Sequence, residues 1–166
     1  MFHKKLLVFH PEDFKEPPME ERHRLDFRMF AESSRLLSGT KSVIAYKALT
    51  ERGVGTMVHG ELYNKGGTLL KSFVSDDYGF GKFEVEAAKG EIFRAVVRDA
   101  RGVESQSEIM VEEKGLSMRV DKRGGDYQCR VHASKDVELD GLRLIVHGGT
   151  LLLINEPLDT SHVYEV

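Results

Sequence analysis

Apolar and polar residues take turns along most of this chain. Leu25, Phe27 and Met29 are separated by Asp26 and Arg28, and 43–49 is an apolar run of strand length closed by Thr50-Glu51-Arg52-Gly53. Val58, Gly60 and Leu62 alternate with His59, Glu61 and Tyr63, after which Asn64-Lys65-Gly66-Gly67 turns the chain into 69–74. Glycine there supplies the positive φ that a tight hairpin needs. Asp76-Asp77-Tyr78-Gly79-Phe80-Gly81 marks the next turn, and Phe83 and Val85 alternate with Lys82, Glu84 and Glu86. A strand at 92–97 follows Lys89-Gly90, Asp99-Ala100-Arg101-Gly102 turns it, and 107–111 makes one more. A period of two is the mark of a half-buried strand.

Upstream, 12–24 is charged, contains Pro17-Pro18 and reads as a linker. A helix competes there, since proline fits a first helical turn, Glu20 and Glu21 suit a helix N-terminus, and Leu25 and Met29 lie at helical spacing. The alternation of 25–29 and its aromatic content favour a strand. Downstream, Glu112-Glu113-Lys114-Gly115 is a boundary. Leu116, Met118 and Val120 begin a fresh alternation, Arg123-Gly124-Gly125-Asp126 returns it through Tyr127, Cys129, Val131 and Ala133, and Leu142, Leu144 and Val146 lead through His147-Gly148-Gly149 to 151–154. Val163 to Val166 starts a fifth strand.

Short, regularly spaced strands punctuated by glycine, with no helix-length amphipathic segment between them, predict an all-β chain. The pattern, that of a β-sandwich or a barrel, divides the chain into a strand plus linker over 1–23, a first β unit over 24–112 and a second β unit over 113–166; with the resemblance given below, the expectation is an immunoglobulin-like β-sandwich followed by a second, incomplete β-sandwich unit. That last unit has too few strands to close, since a sandwich commonly has about seven. The expected core of the first sandwich is Phe27, Val43, Ala45, Leu62, Phe83, Val85, Ala95 and Val97, or the opposite phase of a given strand, because a one-residue slip exchanges a strand's two faces.

Composition narrows the class further. With 24 basic and 27 acidic side chains in 166 residues the formal net charge is -3, which gives no electrostatic footprint for nucleic acid and no polybasic membrane patch. A single cysteine excludes an intramolecular disulfide and any multi-cysteine metal site. Lys4-Lys5 ahead of Leu6-Leu7-Val8-Phe9 has the flavour of a signal peptide, but the apolar run is short and no small-residue cleavage site follows. The expectation is a chain that carries no export signal of its own and inserts in no membrane, since no apolar run approaches the ~18 residues of a span.

A family resemblance enters at Arg28-Met29-Phe30-Ala31-Glu32-Ser33-Ser34-Arg35-Leu36-Leu37-Ser38-Gly39 followed by Val43-Ile44-Ala45-Tyr46-Lys47-Ala48-Leu49. This resembles a segment of the macroglobulin-like, immunoglobulin-like domains of large exported bacterial proteins, often found beside a TonB-dependent receptor plug domain. That segment has a phenylalanine-rich strand, a Pro-Glu-Gly-Gly turn, a Leu-Val-x-Gly strand and then Val-Ala-Phe/Tyr-Lys-Ala. Here Ala31-Glu32-Ser33-Ser34 stands in the place of Pro-Glu-Gly-Gly. The stretch 58–67 resembles the family's Val-Ser-Gly-x-Ile-Tyr-Asp-x-x-Gly hairpin, 79–85 its Gly-Met-Gly-x-Phe-x-Phe strand, and 93–97 its Tyr-x-Ala-x-Val. The match covers about 27–98. Phe2 to Val8 looks like the last strand of a preceding domain, and Leu116 onward like the start of a following one. The resemblance implies a slice of a longer extracytoplasmic array, periplasmic or associated with the outer membrane, that scaffolds or mediates protein contacts and has no enzyme activity.

Candidate chemistry is sparse, and no catalytic, cofactor-binding or metal residue is assigned. Cys129 sits in a strand alternation and reads as a core residue; the Cys-Gly-Glu-Gln run of a thioester is absent. His3, His10, His23, His59, His132, His147 and His162 show no zinc spacing, although His132 and His147 could meet across a hairpin. Asp76 and Asp77 could ligate calcium, but no EF-hand pattern surrounds them and an Asx turn accounts for them. Ser33, Ser34 and Ser105 lack a nucleophile elbow, Gly53-Val54-Gly55 is no dinucleotide fingerprint, and Glu84 and Glu86 read as a solvated strand face. Three functions follow in order: a structural or interaction module, a carbohydrate-binding sandwich (weakened by the absence of tryptophan), and a hydrolase, for which no residues are found. The expected partners are neighbouring domains of a parent chain, other proteins, or a second copy pairing through exposed strand edges such as 1–9 and 151–154.

Overall fold

The computed structural model describes residues 23–149 and 151–165. The expectations for 1–9 and for the linker up to residue 22, with His3 and His10, lie outside the described residues. The chain is all-β, as the alternation predicts. Among the described residues the first eight strands are β1 (Leu25–Ala31), β2 (Leu36–Leu37), β3 (Thr40–Thr50), β4 (Val58–Tyr63), β5 (Leu69–Val74), β6 (Phe80–Ala87), β7 (Ile92–Asp99) and β8 (Glu104–Glu112). They form two sheets, one in the order β1-β3-β6 and one in the order β2-β8-β7-β4-β5. The pairings are antiparallel except β2 with β8, which run parallel with Leu36 opposite Val111 and Leu37 opposite Glu112.

The inner faces of these sheets share one core. Leu25, Phe27, Met29, Ile44, Tyr46, Ala48, Phe83 and Val85 come from the three-stranded sheet, and Val58, Leu62, Phe93, Ala95, Val97 and Val111 from the five-stranded one. Aromatic rings knit the middle: Phe73 from β5 lies 4.7 Å from the Tyr46 ring and 5.2 Å from Phe83, while Phe27 lies 5.8 Å from Tyr46. Phe73 reaches inward because its register partner, Gly60, has no side chain; a Cβ at Gly60 would overlap the Phe73 ring and stand 2.7 Å from Val97.

Phe27, Leu62, Phe83, Val85, Ala95 and Val97 are buried as expected, but Val43 and Ala45 are not the inward set of their strand. Ile44, Tyr46 and Ala48 are. The run 43–49 is apolar on both phases, so the flanking strands decide. Register pairs Ile44 with Phe83 and Tyr46 with Met29, whose side chains already point inward, whereas Val43 faces outward beside Glu84 and Ala45 beside Lys82.

Five more strands follow: β9 (Leu116–Arg123), β10 (Asp126–Ala133), β11 (Arg143–Gly148), β12 (Leu151–Pro157) and β13 (Val163–Glu165). They form a sheet in the order β13-β10-β9 and a two-stranded β11-β12 ribbon. Cys129, Val131, Leu144 and Tyr164 make a small core, with Val146, Ile154 and Leu158 packed on it. The order repeats that of the first unit. β9, β10 and β13 pair as β1, β3 and β6 do, and β11 pairs with β12 as β4 pairs with β5. Among the described residues, β7 and β8 have no counterpart in the second unit.

Candidate functional site

Three places on the molecule concentrate chemistry. The first is the outer face of the five-stranded sheet, where cross-strand register builds polar rows. Val74, His59, Arg98 and Glu104 form one row, and Ser72, Glu61, Val96 and Gln106 the next. The shallow cleft over them has a volume of about 580 Å³. Arg98 pairs with the Glu104 carboxylate, which holds its guanidinium above the ordinary value. The Tyr63 hydroxyl donates to Glu61, which pushes the phenol pKa up, and the Arg94 guanidinium lies 5.6 Å from the Tyr63 ring centre. These charges satisfy one another across exposed strands and are worth little to stability.

The second place is the turn before β6. Asp76 Oδ1 accepts the backbone N–H of Tyr78 at 3.0 Å and of Phe80 at 2.7 Å. Its carboxylate is therefore occupied as an Asx turn, the arrangement that lets aspartate cap its own backbone. Gly79 takes a φ of 80°, and the Ala48 N–H donates to the Gly79 carbonyl at 2.8 Å, locking this turn onto β3.

The third place is an apolar groove in the second unit, about 430 Å³ in volume, between β9 and β10 on one side and β11 and β12 on the other. Met118, Val120, Tyr127, Leu144, Val146 and Leu153 line it. Cys129, buried at its floor, has its thiol pKa pushed up by that burial, which opposes thiolate chemistry.

His59, His132, His147 and His162 are exposed. Among the described residues, no group of three or more His, Cys, Asp or Glu side chains converges. Glu84 and Glu86 share an outer strand face, as expected, and Glu84 meets Arg119 of β9 at 3.4 Å. The sequence pattern missed two features. The Arg94/Arg98 and Glu104/Glu108 rows were legible only as opposite charges at alternate positions on either side of a turn. The groove lining read as ordinary strand alternation; its signal was the shortage of strands after residue 115.

These features define an all-β protein: an immunoglobulin-like sandwich followed by a second β unit with the same opening strand order. No protein-family model matches the chain, and no curated protein matches it. Among solved structures it is similar to a CARDB domain from Pyrococcus furiosus, solved in complex with di-metal ions, with 11% identity and a TM-score of 0.37 over 55% of this chain and 90% of that one.

Proposed function

We propose that the chain is a non-catalytic structural and interaction module of a multidomain extracytoplasmic protein of the macroglobulin-like kind, spacing neighbouring domains or presenting contact surfaces at the outer membrane. The observation that carries this reading is the repeat of one strand order in two consecutive units joined by only 113–115. Consecutive units with a shared strand order suit a spacer that positions whatever neighbours it. The turn at Ala31-Glu32-Ser33-Ser34 adds support. Ser34 holds a φ of 65°, a conformation that favours glycine, and the macroglobulin-like segment has glycine at this place. Fractionation of cells making the parent protein, followed with an antibody against this chain, is expected to recover it outside the cytoplasm. Recovery in the cytosol would overturn the reading.

A second reading, a carbohydrate-binding sandwich of a glycan-uptake system, is favoured by Tyr78, a residue 73% exposed at a turn. Aromatic rings in such positions stack on sugar faces. A glycan array separates the two: saturable binding lost in Tyr78→Ala supports the sugar reading, and a blank array supports the structural one.

A further inference from the structure

The outer face of the three-stranded sheet mixes bare aromatic rings with cations. Register sets Phe30 opposite Ala45 and Ala45 opposite Lys82, and in the next outward-facing row Arg28 opposite Lys47 and Lys47 opposite Phe80. Phe30 and Phe80 are 51% and 48% exposed. They stand on one diagonal of this patch, with Arg28 and Lys82 on the other. Lys47 Nζ lies 5.3 Å from the Phe80 ring centre. Beyond Lys82 the face runs into a cleft of about 650 Å³ against β9, to which β5 adds Lys71 and β9 adds Lys122. The acids here are committed to arginines. Both oxygens of Asp26 accept from Arg28, at 3.0 and 3.1 Å. Asp121 foremost, at 3.1 Å, together with Glu32 and Glu84, raises the Arg119 guanidinium above its ordinary value. Lys47, Lys71, Lys82 and Lys122 form no ion pair among the described residues. A chain of net charge -3 thus sets these cations, without carboxylate partners, around two phenyl rings.

We propose that this face docks an acidic segment of a partner protein, an extended stretch of aspartate and glutamate with two apolar residues about four positions apart. The inference rests on the reading of the chain as an interaction module and names the partner's chemistry. The lysines set the charge, and strand geometry sets the spacing. Phe30 and Phe80 are two strands across and two residues along from each other. That separates their Cα atoms by roughly 12 Å, a distance about four residues of extended chain span. Apolar side chains seated on the two rings supply the buried anchors, and carboxylates beside them meet the ammonium groups. Other anions fit less well. A sugar's hydroxyls need acceptors as well as donors, and lysine offers donors alone. Single-stranded nucleic acid stacks successive bases on neighbouring aromatic rings, and two rings this far apart offer no such series.

The test is fluorescence anisotropy of a labelled peptide of Asp and Glu carrying two leucines four positions apart, titrated with the 166-residue chain. The expected result is saturable binding that weakens as salt rises. Phe30→Ser, Phe80→Ser and Lys82→Glu each weaken it about tenfold. Their melting temperatures stay unchanged, because all three side chains face outward. Arg94→Gln, which removes a cation from the opposite sheet, leaves binding unaltered. If a serine variant melts early, Lys82→Glu decides alone. Absence of saturable binding overturns the proposal, as does equal binding of the same peptide with asparagine and glutamine in place of its acids. Equal affinity in Lys82→Glu and the unaltered chain overturns it too. Tighter binding of polygalacturonate or of oligothymidylate than of the peptide would assign the face to an acidic glycan or a nucleic acid, and that also overturns the proposal. Cytosolic recovery of the parent protein would refute the extracytoplasmic setting and leave these titrations intact. A flat titration leaves the fractionation result intact, so the two failures are distinguishable.

Discussion

Position 60 carries no side chain because Phe73 needs the space. Gly60→Ala forces the Phe73 ring away from Tyr46 and Phe83, and overpacking of this kind costs about 1–3 kcal/mol; urea unfolding is expected to show the loss. Ser34→Gly acts in the other direction. Ser34 holds a left-handed φ of 65°, a conformation that costs a residue with a Cβ about 1–2 kcal/mol, so the glycine variant is expected to raise the urea midpoint. Asp99 contributes to the acid limb. Burial alone would raise its pKa, but the N–H groups of Val103 and Arg101, each 2.9 Å from Oδ1, and the Arg101 guanidinium, 3.0 Å from Oδ2, outweigh burial and hold the carboxyl below its ordinary value. A carboxylate lowered in the folded state contributes stability in full above the unfolded value, about 3.9, and loses it as pH falls through the folded one. Asp99→Asn keeps an acceptor for both N–H groups but removes the titration. Stability plotted against pH is expected to fall less steeply below about pH 4 in that variant. At this scale the sequence was readable where a residue speaks locally: Asp76 announced its Asx turn. Ser34 announced nothing by its own chemistry, because its backbone conformation is imposed by the turn between β1 and β2.

Strands were legible wherever one phase is apolar and the other polar. β4 and β6 have such phases, and their inward residues follow directly from the pattern. β3 does not. Val43, Ile44, Ala45, Tyr46 and Ala48 are apolar or aromatic on both faces, and only pairing with β1 and β6 chooses Ile44 over Val43. The consequence is measurable. Ile44→Ala removes a fully buried side chain and is expected to cost about 2–5 kcal/mol. Val43→Ala, on the outer face, should cost well under half as much in the same urea titration. The two-residue β2 is too short for any periodicity to reveal. Its partner is more than seventy residues away in β8, so its existence depends on the finished sandwich rather than on local sequence.

The whole molecule combines a well-filled unit with a thinly filled one, and the difference was visible in the sequence as a shortage of strands after residue 115. What the sequence could not show was that the row Leu116, Met118 and Val120 would be exposed, because that depends on how β9 and β11 are placed in space. Calorimetry of the 166-residue chain is expected to give two transitions, the small core of Cys129, Val131, Leu144 and Tyr164 melting first, since cooperativity is a property of each packed core. A single transition with equal calorimetric and van't Hoff enthalpies would show instead that the two units melt as one. The parallel seam of β2 on β8 has a mechanical meaning. It is fastened by the Ser38 N–H donating to the Glu112 carbonyl at 2.8 Å and by Arg35 on the Glu112 carboxylate at 2.7 Å. Tension that reaches this seam draws β2 backward and β8 forward along their common axis. The fasteners are then loaded together in shear instead of being peeled one at a time, so the seam resists until all of them give way at once.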